Sequence, residues 1–583
     1  MILQALCGYY DRLAQDVNSG VALLGYAVTP INACIVLDED GNVVECASLL
    51  EQDGKNKRPM RLLVPQKPKR SSKKPEPAFL CENAEFLFGI HEKKDGAAYR
   101  FAASAERHTA ILADVEDAGA KAVLRFFAKR TPGSFIYEGV DTSALEAGGN
   151  IVFRLRGQTQ YVHEHPAVKR AWERFCQNRS GDAEIGQCLI TGETGPVAKL
   201  HPNFSGFGQD KPSIVTFNQN AFESHGKKQG ANAPISETAA FQYGTALNML
   251  LADRNHYVTL GDQKIVFWAE RDAIEEENLL AMLFDGQSMQ EPATTLDESE
   301  STQIRGKLLS LITGRKPDEV GLDPNVKIYV LGLSSNKTRL VIRFFHRDSF
   351  GDLIMRMRQH FEDMELIDAR PRYPSLYRIL TETAVKREMA NVAPNLGSSL
   401  LRSILSGRPY PQSLYMAVIR RIRAEANDGN AANSVRVGII KASLNRLDRL
   451  NGNEKEQRTM ALDVTRTEEA YLLGRLFAAL EKTQRDALGR DINASIVDKY
   501  LNSAMASPQT VFPTLLKLSE KHIAKVDNYY MKQVITDLVS QIDRFSPALN
   551  AKAQGEFLLG YYHQNKAFYT KREQDANQTT TQQ

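Results

Sequence analysis

Residues 326–364, VKIYVLGLSSNKTRLVIRFFHRDSFGDLIMRMRQHFEDM, carry the change of character that decides the fold. The β-branched and aromatic runs 326–333 and 338–345 face each other across Ser334-Ser335-Asn336-Lys337, which predicts a β-hairpin. At period two, Arg339 and Arg343 fall on one face and Leu340, Ile342 and Phe344 on the other. The arginine face fits either a solvated surface or one laid against a phosphate backbone. From about Asp352 the apolar spacing turns helical, and 352–364 reads as an amphipathic helix. Strands and helices mix before this point, and only helices follow it. The expected class is α+β, with a mixed α/β amino-terminal region of several subdomains followed by an all-α carboxy-terminal helical bundle.

Beyond the switch, helices are expected over 376–389, 400–405, 412–424 and 437–450, the last marked by Leu444, Leu447 and Leu450 before the break Asn451-Gly452-Asn453. Thr465-Arg466-Thr467-Glu468 has the spacing of a capping box, opening a helix with the stripe Leu472, Leu473, Leu476, Phe477 and Leu480. Pro513 suits the first position of a further helix, with Leu515, Leu516, Leu518 and Ile523 turned inward. Val534, Ile535, Leu538, Val539 and Ile542 mark one more. The expected organisation is an α+β region over 1–284, an exposed acidic linker or loop over 285–304, and a hairpin region over 305–350. A helical connection over 351–453, a self-sufficient bundle over 460–570 and a disordered polar tail over 571–583 complete it.

Working back toward the amino terminus, 264–269 reads as a buried strand, and helices are expected over 118–130 and 166–177. Leu3, Leu6, Tyr9, Tyr10 and Leu13 lie at helical spacing. Residues 31–37 and 43–47 form a second predicted hairpin across Asp38-Glu39-Asp40-Gly41-Asn42, whose Asp and Gly supply the turn. The segment 55–74, KNKRPMRLLVPQKPKRSSKK, carries Lys55, Lys57, Arg58, Arg61, Lys67, Lys69, Arg70, Lys73 and Lys74 with no acid among them. Its prolines forbid a continuous helix, so it is extended or looped, and its charge suits a solvated loop or a grip on phosphate.

The stretch 212–251 opens as an expected strand at Ile214, Val215 and Phe217 and closes as a helix with Ser236 as its N-cap. Between them lies a polar loop holding Asn218, Gln219, Asn220, Ser224, Lys227, Lys228, Gln229 and Asn232. Amides read base edges, lysines neutralise phosphate, and glycine lets backbone approach a ligand. A solvated polar connection would have the same composition.

At 583 residues the chain has room for roughly three to four domains. Its formal charge of +3 carries no global basic field, so any nucleic-acid site is a local patch. Six scattered cysteines without a CxxC pair fit a reducing cytosol. The opening residues lack a signal-peptide pattern and no apolar run reaches membrane length, so a cytoplasmic protein without a membrane partner is expected. His163, His165, Cys176, Cys188 and His201 lack the close pairing of a zinc site and read as core cysteines and surface histidines. No phosphate-binding glycine loop, GxSxG or HExxH is present, no cofactor is implied, and His346-Arg347-Asp348 lacks the rest of a kinase signature. The chain reads as a binding protein rather than an enzyme.

Blocks spread in order over nearly the whole chain resemble one family. They are MILQALCGYYDRL at 1–13, FLCEN and LFGI within 79–90, QCLITGE at 187–193 with His201-Pro202, and VTFN at 215–218 with Ala221-Phe222. NAPIS at 232–236, TALN at 245–248, VLGLS at 330–334, AYLLGRL at 470–476 and GYYHQ at 560–564 complete the set. The sequence resembles the large subunit of the type I-C CRISPR Cascade, an RNA-guided DNA surveillance complex used in antiviral defence.

The resemblance implies a non-catalytic subunit that binds double-stranded target DNA, recognises the protospacer-adjacent motif and promotes duplex opening and R-loop formation. Sequence specificity would then rest mainly on RNA–DNA pairing. The implied partners are the guide RNA, the target duplex and its displaced single strand, the Cascade backbone subunits, the subunit that binds the guide RNA 5′ handle, the small subunits, and a recruited helicase-nuclease. Chemistry and position, rather than a family motif, then make the 218–232 loop the candidate motif reader or strand-separating wedge and 55–74 the candidate phosphate grip. The resemblance also implies that the bundle corresponds to the small subunit, made separately by internal translation. Met460 is a candidate start, since Lys455-Glu456 can be encoded by a purine-rich ribosome-binding sequence. Arg466, Arg475, Lys482, Arg485, Arg490, Lys517, Lys521 and Lys525 would then line a path for displaced strand. Two alternatives stay open: an enzyme with a metal-dependent nuclease site of dispersed carboxylates, and a protein-only scaffold.

Overall fold

The structure is a computed structural model, and it describes all residues except 17–18, 54–55, 69–75, 91–93, 134–136, 138, 147, 179–183, 209–210, 218, 286–297, 428–429, 490–494, 527 and 581–583. Two compact units are present, one of residues 3–202 with 215–249 and the other of 203–214 with 250–583. Among the described residues no helix is long and apolar enough to cross a membrane.

The first unit opens with α1 (Ile2–Gln15), which buries Leu6, Tyr9 and Tyr10. Five strands follow: β1 (Tyr26–Ile31), β2 (Ala33–Leu37), β3 (Val43–Ser48), β4 (Leu50–Asp53) and β5 (Asn56–Pro65). The predicted hairpin is β2–β3, closed where Asp38 Oδ1 accepts the Asn42 N–H at 2.8 Å. Strands β1, β5 and β4 form an antiparallel sheet, so 56–65 of the basic segment is extended, one of the two states expected for it.

Next come β6 (Cys81–Glu82), α2 (Ala84–Phe88), α3 (Lys94–Leu112), α4 (Ala118–Ala128), α5 (Ser143–Glu146), β7 (Ile151–Leu155) and α6 (Pro166–Asn178). They complete a sheet of order β3-β2-β7-β6 in which β2 and β7 run parallel. All five residues of β2 are buried, as a strand covered on both faces requires. Ile35 and Phe153 pack against Val123 and Phe126 of α4, and Trp172 of α6 stacks on Phe79 at 5.2 Å. The unit ends with a ribbon, β8 (Ile185–Gln187) and β9 (Thr194–Pro196), and with α7 (Glu237–Ala252).

His163, His165 and His201, expected at the surface, are 2–5 % exposed. Local spacing does not report partners distant in the chain: His165 Nδ1 meets Asp117 at 2.9 Å and His201 Nδ1 meets the Tyr243 hydroxyl at 2.9 Å. Residues 214–217 form no strand, contrary to their β-branched composition. Only Ser213 makes a bridge, to Arg339 within the second unit.

The second unit is built on an antiparallel sheet, β10 (Tyr257–Leu260), β11 (Gln263–Ala269), β12 (Lys327–Asn336) and β13 (Arg339–Ser349), in that order. The helices α8 (Ile274–Asp285) and α9 (Glu298–Ile312) lie between β11 and β12 in sequence. Of the expected linker 285–304, residues 286–297 lie outside the described residues, and from Glu298 the chain is already helical. The β12–β13 hairpin is present with a bulge at Gly332/Leu333 that leaves Arg343 without a register partner. The bulge disturbs the strict alternation, so Ile342 is 39 % exposed and Arg343 Nε donates to Ser334 Oγ at 2.7 Å.

Helices α10 (Phe350–Met364), α11 (Leu376–Thr381), α12 (Leu396–Ser406), α13 (Gln412–Ala424) and α14 (Ser434–Leu450) connect the sheet to α15 (Glu469–Leu488), α16 (Ile496–Ala506), α17 (Pro508–Val526), α18 (Tyr529–Ser540) and α19 (Ala551–Thr580). The stretch expected as one helix over 376–389 stops at Thr381 and continues as short 3₁₀ turns. The capping box at 465–468 does not form. Thr465 instead spends its N–H and hydroxyl on Asp463 Oδ1, and α15 starts later. The helix expected to start at Pro513 starts at Pro508, another proline suited to the first position, with Pro513 inside it. Residues 571–580, expected as part of a disordered tail, continue the backbone of α19, and 581–583 lie outside the described residues.

One hydrophobic core runs from Phe267 and Phe350 through Leu401 and Ile440 to Leu473 and Phe557, so the bundle shares its interior with the preceding helices. Tyr415 of α13 donates its hydroxyl to Ala551 O of α19 at 2.9 Å. Within the bundle α15 and α19 touch backbone to backbone, since a Cβ on Gly474 would lie 1.9 Å from Phe557 O and one on Gly560 2.2 Å from Tyr471 O.

Candidate nucleic-acid interface

The central loop belongs to the first unit and has a braced base beneath an exposed tip. Ala198 N–H donates to Ile235 O and Leu189 N–H to Pro234 O, both at 2.8 Å, which ties the end of the loop to the β8–β9 region. The Ser236 N–H donates to Cys188 Sγ at 3.3 Å, and the Ser236 hydroxyl caps α7 by accepting the Ala239 N–H. Burial pushes the Cys188 thiol up, but hydrogen bonds from Ser236 and Thr191 outweigh it and bring the thiol down to about 6. Gly230 sits where a Cβ would lie 1.9 Å from Ala198 O, so only glycine allows that approach.

Asn232 was expected among the ligand-reading amides, and the structure turns it inward. Its Oδ1 accepts the Ser224 N–H at 3.0 Å, and its Nδ2 donates to Lys227 O at 2.9 Å and Gln229 O at 3.0 Å. With both ends of the amide spent on backbone, Asn232 holds the tip in shape. Gln229 is half-buried beneath the tip. Above these braces, Ser224 and Lys227 bridge across His225 and Gly226, whose φ values of 51° and 72° are the pair a tight type I′ turn needs.

That turn exposes Ser224, His225, Lys227 and Lys228, and the preceding 3₁₀ turn exposes Gln219 and Asn220. Lys227 and Lys228 have no ion pair among the described residues. Asn218 lies outside the described residues. The tip therefore combines two cations with two exposed amides and a hydroxyl, a set suited to phosphate and to groove-edge acceptors.

The basic segment is more divided than its composition suggested. Lys55, Lys69, Arg70, Lys73 and Lys74 lie outside the described residues, and Lys57 is placed only as a backbone position in β5. Arg58 and Arg61 are exposed on that strand, with Arg58 opposite Glu51 in register. Lys67 was expected on phosphate. It instead donates to Asn150 Oδ1 at 2.6 Å and pairs with the buried Glu82 at 3.6 Å.

In the bundle, four of the basic residues expected to line a strand path are engaged within the protein. Arg475 is 7 % exposed and donates to Gln564 Oε1 at 3.1 Å, while Lys482 is 8 % exposed and pairs with Asp486. Arg466 pairs with Glu468 and Glu556, and Arg485 with Glu481. Arg490 lies outside the described residues. Lys517, Lys521 and Lys525 remain exposed at four-residue spacing along α17, without ion pairs among the described residues. Sequence reasoning passed over Tyr529 and Tyr530, which stand 76 % and 54 % exposed at the start of α18. The signal was an aromatic pair directly after a lysine stripe, the composition of a single-strand stacking surface.

Among the described residues no group of three or more His, Cys, Asp or Glu is placed to hold a metal ion. A family model described as CRISPR-associated protein (Cas_Csd1) matches residues 6–569. No curated protein matches the chain significantly.

Proposed function

The chain belongs to the CRISPR-associated Cas_Csd1 family, the large subunits of type I-C Cascade, and from that premise we propose that its 218–232 loop reads the protospacer-adjacent motif in double-stranded target DNA. The observation that carries this reading is the braced turn that leaves Lys227 and Lys228 exposed, in the same loop as the exposed Gln219 and Asn220. Lysines supply sequence-independent attraction to phosphate, and amides pair with the acceptor edges of the grooves. Internal bracing by Asn232 lowers the ordering cost of binding.

In this reading the subunit is non-catalytic. It favours duplex opening by holding the motif while guide RNA pairs with the target strand, and it offers a surface for the helicase-nuclease. Arg58 and Arg61 on β5, with Lys69, Arg70, Lys73 and Lys74 after them, add grip on phosphate. Displaced strand runs along Lys517, Lys521 and Lys525, with Tyr529 and Tyr530 as stacking platforms. The amino-terminal α+β region carries recognition, and the bundle plays the part of a small subunit.

The test is duplex binding by the assembled complex carrying Gln219→Ala, Asn220→Ala, Lys227→Ala and Lys228→Ala together. Targets with correct and incorrect adjacent motifs, and a pre-opened target, are compared at two salt concentrations. Loss of discrimination with binding to the pre-opened target retained is the expected result. Unchanged discrimination sinks the assignment of the loop.

A further inference from the structure

The second unit contains a cavity of about 350 Å³ where the turn between β10 and β11 meets the segment 389–397 that leads into α12. That volume lies at the lower end of small-ligand sites, roughly 300–1,000 Å³, and has room for one ring system. Its walls are Leu260, Leu380, Met389 and Val392, which belong to the main core or pack against it. The Met389 wall is fixed, because Asn391 Nδ2 donates to Val385 O and to Glu388 Oε2, both at 3.1 Å, and so braces the turn that carries it. No cation is among the described lining residues, and the one charged group there is Asp262, exposed at the rim.

The floor breaks the pattern of its strand. At period two, the face of β11 that places Ile265, Phe267 and Ala269 in the core also carries Gln263. Gln263 is 1 % exposed and lines the cavity, and its Oε1 has no hydrogen-bond partner among the described residues. A buried carbonyl oxygen among aliphatic side chains is unfavourable unless a donor reaches it, and an apolar residue at this position would avoid that cost. Walls and floor together select the ligand. A phosphate or carboxylate would meet Asp262 at the rim with no lining cation to offset it. An alkyl cation would exchange water for a neutral amide oxygen. A neutral aromatic ring with one N–H or O–H matches every feature: its body rests on the aliphatic walls, the Met389 thioether suits an aromatic edge, and its donor reaches the amide.

We propose that this cavity takes one aromatic ring system carrying a single donor, an indole or a phenol, with that donor on Gln263 Oε1. The shared chemistry has two sources, a free small molecule and a tryptophan or tyrosine side chain presented by another protein chain. The site lies within the second unit alone and is independent of the 218–232 loop.

Equilibrium dialysis of the full-length chain against indole, 1-methylindole and N-acetyl-tryptophanamide tests it, with Gln263→Leu as the variant. 1-Methylindole keeps the ring and loses the donor, so wild type is expected to bind it about fivefold or more weakly than indole. Gln263→Leu restores an apolar row on β11 and is expected to erase that preference while both rings still bind. If N-acetyl-tryptophanamide also binds wild type and competes with indole, the site admits a side chain of another protein; if only indole binds, it admits a free ring. Equal binding of indole and 1-methylindole to wild type, binding of neither at millimolar concentration, or a preference that survives Gln263→Leu overturns the proposal. Should the variant fold poorly, photo-crosslinking of the wild-type chain with 5-azidoindole decides. Attachment within 260–263 or 380–397 supports the site, and attachment only elsewhere overturns it.

Discussion

Arg458 donates its Nε–H to Glu556 Oε1 at 2.8 Å, with both side chains no more than 1 % exposed. The same guanidinium pairs with Asp448 of α14, so one buried arginine joins α14 to α19 through the connecting segment between them. Burial raises the Glu556 carboxyl above its ordinary range, and the attraction of Arg458 opposes that rise. Replacing Arg458 with alanine leaves each of two buried carboxylates with a single remaining cation, Arg466 for Glu556 and Lys552 for Asp448. The expected loss is about 3 kcal/mol in urea unfolding. A loss under about 1 kcal/mol would mean that water already solvates the pair.

A bundle started at Met460 leaves Arg458 behind. It also uncovers Tyr471, Leu559 and Tyr562, which in the full chain pack on Leu366 and Val437. The isolated segment 460–583 is expected to melt below the full chain or to associate through that uncovered face. Sedimentation velocity and a thermal scan on the expressed segment check this. A monomer as stable as the full chain contradicts it.

Glycine-to-alanine substitution inside a helix ordinarily stabilises by up to about 1 kcal/mol. At Gly474 and Gly560 the sign reverses, because the new Cβ would meet backbone of the facing helix at 1.9 and 2.2 Å. Each change is expected to destabilise by about 1–3 kcal/mol, read from the shift of the unfolding midpoint.

His108 is fully buried and both its ring nitrogens are used. Nε2 accepts the Leu80 N–H at 3.0 Å, so the proton sits on Nδ1, which donates to Ser104 O at 2.7 Å. Burial pushes its pKa down to about 4 from 6.5. The unfolded chain therefore binds this proton first as pH falls, and stability present above pH 6.5 is lost progressively toward pH 4. Urea midpoints at pH 7 and pH 5 should fall more for wild type than for His108→Gln, which removes the titrating group.

Lysine and asparagine in the central loop should fail differently. Lys227→Ala is expected to weaken binding of the assembled complex to all duplexes alike and to reduce the salt slope by about one. Asn232→Ala removes three hydrogen bonds that shape the tip, so motif discrimination should fall with the salt slope unchanged. Filter binding across a salt series separates the two. Identical effects would mean that Asn232 does not order the tip.

Much of the architecture was legible because it is written in short windows. The Asp38–Asn42 turn, the hairpin after Val326, the N-cap at Ser236 and the apolar stripe of α15 each depend on residues a few positions apart. Boundaries failed where two local signals competed, as Pro508 against Pro513 did for the start of α17.

By itself the sequence determined the order of elements, the passage from mixed α/β to all-helix, the polar character of the 218–232 loop and the blocks that mark its family. Only the tertiary structure decided which charged and polar groups remain available. Lys67 is spent on Asn150, 83 residues away, and Arg475 on Gln564, 89 residues away, whereas Lys227, Lys228 and Lys517 stay exposed. Periodicity is a property of neighbouring residues, so a single stretch reveals it. Pairing and burial arise when distant segments pack, and they decide whether a given lysine meets a carboxylate or solvent.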